Sequence, residues 1–153
     1  MTTPFLAQDI SSDEGYAKAL PNGDCEAYPD PLSGGDPWTI GYGSTGPDVV
    51  PGTVWSQAQA QARRDAYIET CEKQLDSHIS WWRDLNDERQ DVLVNMAYNM
   101  GWGGLSGFQH ALAALERHDY DTAADEFEDS LWAKQVPNRA SRLIEQIRTG
   151  VRA

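Results

Sequence analysis

The stretch Tyr28–Gly43 constrains this chain more than any other. Thr39, Ile40 and Tyr42 favour strand, and Ser33-Gly34-Gly35-Asp36, set between two prolines, is turn chemistry. No other part of the sequence reads as strand and turn, and the chain beyond Gly43 is largely helical in pattern. The expected fold class is therefore α+β: a small β-hairpin lobe and a larger helical lobe joined by a long helix. One domain of residues 1–153 is expected, with the first lobe at about 12–60. The long helix is expected at about 56–80, and the helical lobe at about 81–153 together with the N-terminal helix.

Helical periodicity supports that order. Phe5, Leu6 and Ile10 form a short apolar stripe in a helix over residues 5–15 that ends at Gly15. Pro21-Asn22-Gly23-Asp24 is a strong turn signal, so residues 16–27 read as a loop or hairpin. Ser56 with Gln59 three residues later is a capping box. Ala58, Ala62, Ile68, Cys71, Leu75 and Ile79 then share roughly one face, and Trp81-Trp82 ends the helix as core or lobe-packing residues. Asn86, with Asp87 and Glu88 at the positive end, starts the next helix. Val92, Leu93, Met96, Ala97 and Met100 make it a buried central helix, broken by Gly101-Trp102-Gly103-Gly104. Three short helices come next, carrying Phe108–Leu115, Tyr120–Leu131 and Leu143–Ile147, the last begun by Pro137-Asn138 with Asn138 as cap.

Composition limits the possible roles. Hydrophobic content of 40% with six tryptophans argues for a folded chain. A net charge of −12 disfavours nucleic acid as a partner, because phosphate contacts need Lys and Arg. The acidic surface reads as solvation or as adaptation to high salt. No apolar run reaches the roughly 18 residues of a membrane span, and Met1–Ile10 lacks the flanks of a secretory signal. The expectation is a protein held in the cytoplasm, with no membrane insertion. Cys25 and Cys71 lack metal-type spacing. Unpaired thiols are expected in that compartment, and a bridge made after export stays open.

Two acids stand out by context. Glu14 closes an apolar helix, where the dipole disfavours a carboxylate and a raised pKa would suit a general acid. Asp30 lies among wetter turn residues and would stay ionised. One protonated and one ionised carboxyl is the division of labour that glycoside hydrolysis requires.

Asp13-Glu14-Gly15, Tyr28-Pro29-Asp30 and Thr39-Ile40-Gly41-Tyr42-Gly43 resemble the catalytic Glu, Asp and Thr motifs of phage-type lysozymes, glycoside hydrolase family 24. The C-terminal half is similar to the family's T-even branch. Asn95-Met96, Met100-Gly101, Gly107-Phe108, Ala123-Ala124, Pro137-Asn138-Arg139-Ala140 with Arg142, and Arg148-Thr149-Gly150 fall in the same order. The resemblance implies a lysozyme-like fold and hydrolysis of the β-1,4 bond between N-acetylmuramic acid and N-acetylglucosamine, with inversion and without a cofactor. It implies Glu14 as general acid, Asp30 as the base that directs a water, and Thr39 as a second hold on that water. Arg139 looks like the family's arginine that pairs with the catalytic Glu, and Tyr98 and Asn99 align with substrate-binding residues. The implied partner is the glycan strands of peptidoglycan. The implied setting is an endolysin, a monomer kept in the host cytoplasm until a holin-type pore releases it to the periplasm or cell wall.

The departures from the pattern are local. Fifteen residues separate Glu14 from Asp30, more than the family usually has, and Asp30 to Thr39 is lengthened through Ser33-Gly34-Gly35-Asp36. Both read as loop or hairpin-tip insertions, which cost modest entropy. Asp36 competes with Asp30 for the role of base, and Glu26 is a weaker rival to Glu14. Ser44 stands where the family commonly has His. A lytic transglycosylase would need a Glu acid/base but neither Asp30 nor Thr39. A non-catalytic wall-binding virion module is the reading from another class.

Overall fold

The computed structural model describes residues 1–153. They divide into two compact units, one of residues 7–69 and one of residues 1–6 with 70–153. The fold is mostly helical with one small antiparallel sheet, the α+β class expected.

The small unit begins with α1 (Leu6–Glu14), from Ala7 onward. Ile10 is fully buried, whereas Phe5 is 46% exposed and lies under the Arg152 guanidinium at 4.4 Å, outside the expected stripe. Gly15 ends the helix in the left-handed region (φ 75°), its N–H donating to the Ser11 carbonyl at 2.9 Å. The sheet pairs β1 (Cys25–Glu26) with β2 (Val54–Trp55), Cys25 opposite Trp55. The expected hairpin over Tyr28–Gly43 is present only as single pairings, Tyr28 with Thr39 and Ile40 with Ser44. Of the regular strands, β1 lies in the segment read as a loop or hairpin and β2 just before the expected long helix. Two residues per strand are too short to show an alternation.

Cys25, Ala27, Ile40, Tyr42, Val49 and Ala60 form the core of this unit, with Tyr16, Trp38 and Trp55 packed on it. Gly41 lets α2 (Gln57–His78) come close: a Cβ there would stand 2.9 Å from the Ala60 Cβ. The capping box of α2 is formed, Ser56 N–H donating to Gln59 Oε1 at 2.8 Å and Gln59 N–H to Ser56 Oγ at 3.1 Å. Ala58 and Ala62, expected inward, are exposed, and Ala60 turns in. Alanines on every side of an Ala-Gln helix give the period nothing to select. Arg63 clamps Asp48 with two bonds of 2.7 and 2.9 Å and lies over the Trp55 ring. Arg64 donates to Ser11 Oγ at 2.8 Å and lies over Tyr42, tying α2 to α1.

The boundary between the units falls inside α2, after Glu69. Beyond it Cys71, Leu75 and Ile79 are buried. Both cysteines are buried free thiols, and burial pushes that of Cys71 up to about 12. Trp82 sits fully buried in a 3₁₀ turn (Ser80–Asp84), its indole N–H donating to Asp76 at 2.8 Å.

In α3 (Asp87–Ser106) Asn86 caps the start by accepting from Arg89 N–H, and residues 90–98 are buried on all sides. Gly101 interrupts it with φ 73° and ψ 167°, where a break was expected. Then come α4 (Gln109–Glu116), α5 (Tyr120–Glu128), α6 (Leu131–Gln135) and α7 (Pro137–Thr149). Leu131 opens the separate α6 rather than closing α5, because Ser130 caps a new start through Ala133 N–H. Asn138 does not cap α7. Val136 holds that position, and Pro137 takes the first helical one, where its missing N–H costs nothing.

The last carbonyls of α7 are met from α3. Arg89 donates to Ile147 O at 2.7 Å and Arg148 O at 3.3 Å, and Asn86 Nδ2 donates to Gly150 O at 2.9 Å. A cation thus answers both the unpaired carbonyls and the negative end of the helix. Buried Asp91 accepts from Thr3 N–H at 2.8 Å and from Thr3 Oγ1, fixing the first residues to α3.

Candidate active site

Glu14, Asp30 and Thr39 all lie in the small unit. Glu14 is the last residue of α1 and is half-buried. Its carboxylate rests on the bare α-carbon of Gly43: a Cβ built there would stand 2.7 Å from Glu14 Oε2 and 3.2 Å from Cδ. The Tyr28 phenol is close enough to feel it. Burial first, then the Glu14 charge and the Cys25 thiol, hold Tyr28 above its ordinary pKa.

Tyr28 and Thr39 are tied backbone to backbone, each N–H donating to the other's carbonyl at 2.9 Å. One more such pair, Ile40 with Ser44, closes the Gly41-Tyr42-Gly43 turn with two bonds of 2.9 Å. The Gly-x-Gly pattern therefore has two separate causes. Gly41 admits α2, and Gly43 admits the Glu14 side chain.

Asp30 opens the longer turn. Its N–H donates to Gly35 O, its carbonyl accepts from Gly34 N–H, and its Oδ2 accepts from Ser33 N–H at 2.9 Å. Of the inserted residues, Ser33 is thus bonded to the Asp30 carboxylate itself, and Gly34 and Gly35 to the Asp30 backbone. Ser33 Oγ donates to Asp36 O at 2.8 Å, and Asp36 is exposed with Leu32 at the tip. Thr39 Oγ1 donates to Pro37 O at 3.2 Å, so its oxygen meets any other partner as an acceptor. Glu26 sits in β1 opposite Val54.

The other candidates lie in the larger unit. Tyr98 is buried in α3. Asn99 accepts from the Trp132 indole N–H at 2.9 Å, which joins α3 to α6. Arg139 is only 8% exposed and donates from Nε to Asn95 Oδ1 at 2.8 Å. No group of three or more His, Cys, Asp or Glu side chains is arranged to hold a metal. A cavity of about 440 Å³ on this unit, lined by Lys134, Pro137, Ile144 and Arg148 among others, includes none of the candidate residues.

The contact between Glu14 and Gly43 escaped the sequence reading. Its signal was the second glycine of the motif, unexplained until the fold brought α1 to it. Ser44 is buried, and its hydroxyl has no hydrogen-bond partner.

Comparison with known proteins bears on the same residues. The chain is 42% identical over 69 residues to the pre-baseplate central spike protein Gp5 of Enterobacteria phage T4, covering 45% of this chain and 12% of that protein. It is 29% identical over 96 residues to a probable T4-type lysozyme 1 of Dictyostelium discoideum, 62% of this chain and 56% of that one. It is 29% identical over 65 residues to a SAR-endolysin of bacteriophage PS119, 42% of this chain and 38% of the relative. The chain thus spans little more than half of these relatives, or less. A family model described as phage lysozyme matches residues 22–147, a span that holds Asp30, Thr39, Tyr98, Asn99 and Arg139 and begins after Glu14. With most of its length matched by that model, the chain belongs to the phage lysozyme family.

Proposed function

We propose that the protein is a peptidoglycan-degrading glycoside hydrolase that cleaves the β-1,4 bond between N-acetylmuramic acid and N-acetylglucosamine by direct displacement with water. The observation that carries the reading is the grouping of Glu14, Asp30 and Thr39 in one small unit, within a chain of this family. Glu14 gives its proton to the leaving glycosidic oxygen. A water donates one hydrogen to Asp30 and one to Thr39 Oγ1, and its lone pair attacks the anomeric carbon from the far side. As that bond forms, the water's first proton passes to Asp30, so the proton lost by Glu14 is balanced. Two structural details suit these roles. Asp30 Oδ2 is oriented by Ser33 N–H, and Thr39 has already placed its own hydrogen on Pro37 O. Tyr98, Asn99 and Arg139 are assigned to substrate binding.

Host lysis as an endolysin, with release through a pore made by another protein, is the biological setting that this reading favours. The likeness to a phage spike protein supports a second one, a lysozyme carried in the virion. No helix is long and apolar enough to cross a membrane.

The test is product analysis on purified peptidoglycan. Hydrolysis predicts reducing-end N-acetylmuramic acid, released first as the α-anomer, and Glu14→Gln lowers its rate by about 10³-fold. A 1,6-anhydro product would replace this reading with a lytic transglycosylase. Full activity in both Glu14→Gln and Asp30→Asn would remove these residues from the mechanism. Mass spectrometry of purified virions separates the two biological settings.

A further inference from the structure

The packing of Glu14 on Gly43 defines a role that the catalytic groups themselves do not cover. A Cβ at Gly43 would stand 2.7 Å from Glu14 Oε2, 3.2 Å from Cδ and 3.7 Å from Cγ, so it would run along the whole end of the acid. Ordinary contact between carbon atoms is about 3.5–4.0 Å. Of the two partners, the glycine is the fixed one. It sits in a turn closed by reciprocal Ile40–Ser44 bonds, next to the reciprocally bonded Tyr28–Thr39 pair, and α2 packs on Gly41 two residues before it. The Glu14 carboxylate is the far end of a flexible side chain, so it is the part that would yield.

We propose that Gly43 is a positioning residue for Glu14: its missing side chain sets where the acid's proton is delivered. The proposal rests on the reading of Glu14 as general acid. A substitution that moves the carboxylate by about 1 Å should leave substrate binding alone and cost about 100-fold in the chemical step.

Gly43 also has φ 78°, which strains any other residue, so a control for backbone strain is needed. Gly52 supplies it, with φ 89° and nothing within 4 Å of a Cβ. The experiment compares wild type, Gly43→Ala, Gly52→Ala and Glu14→Gln on soluble peptidoglycan strands, at a temperature where circular dichroism shows each folded. Gly43→Ala is expected to lower kcat about 100-fold with KM within about twofold, while Gly52→Ala leaves both within about twofold. A Gly43→Ala enzyme whose kcat matches that of Gly52→Ala overturns the proposal but leaves Glu14 as the acid, provided Glu14→Gln is inactive. An active Glu14→Gln overturns both. If Gly43→Ala does not fold, the Glu14→Ala/Gly43→Ala double variant must recover the fold, because the crowded atoms are gone. Failure to recover it overturns the proposal without reference to activity.

Discussion

The two units use their polar side chains in different ways. In the larger one, buried and half-buried polar groups are bound into structure: Asp91 to Thr3, Arg139 to Asn95, Asn99 to Trp132, and Arg89 to the end of α7. In the small one, Glu14, Asp30 and Thr39 are half-buried, held by short turns and single backbone pairs rather than by long strands. Stability is thus drawn mainly from one set of polar contacts and chemistry, as proposed, from another. A unit with so little regular sheet holds its side chains through glycines and turn bonds, so small backbone changes there should be felt in rate more than in melting temperature.

Paired substitutions sharpen the contrast. The largest effect is expected for Asp91→Ala, which leaves the Thr3 donors without their buried acceptor and should cost about 3 kcal/mol in urea unfolding. Its activity per folded molecule should be unchanged, whereas Glu14→Gln should lower activity by about 10³-fold at a smaller cost in stability. Equal loss of both properties in both variants would break the division. Arg89→Ala removes the donor that serves two carbonyls of α7 and should cost about 1–2 kcal/mol, read from the same curves. Ser44→Ala should go the other way. Its hydroxyl is buried without a partner, so its removal should be neutral or stabilising by up to about 1 kcal/mol.

The smallest effect concerns Asp48. The Arg63 guanidinium holds this exposed carboxyl below its ordinary 3.8. A pKa depressed by folding contributes stability above the unfolded value, and that contribution is lost as pH falls through the folded one. The Tm of Asp48→Asn should therefore lie slightly below wild type at pH 5–7, and the gap should close below about pH 4. A gap that widens on acidification would contradict the ion pair.

Local chemistry was legible in the sequence where both partners lie within one turn. The Ser56–Gln59 capping box and the Asn86 cap formed as expected, and the central helix is buried along Val92–Ala97. Legibility failed where elements were shorter than a period. β2 has two residues and α6 has five, so neither shows a repeat. It failed again where one residue type faced every way, as with Ala58, Ala60 and Ala62. At the candidate site, the local context singled out Glu14 and Asp30, and the resemblance to phage-type lysozymes gave them and Thr39 their roles. The support given to Glu14 by Gly43 depends on α1 meeting a distant turn, and no local pattern encodes that meeting.

The two cysteines fall one in each unit, Cys25 in the small and Cys71 in the larger. Both are hidden, and the Cys71 thiol, pushed up to about 12, carries almost no nucleophilic thiolate near neutrality. Each is therefore a silent reporter that reacts with an alkylating reagent only when its own surroundings open. Labelling tracked residue by residue would time the breathing of the two halves separately. Equal rates would mark a single cooperative opening, and faster capture of Cys25 would mark a small unit that loosens on its own.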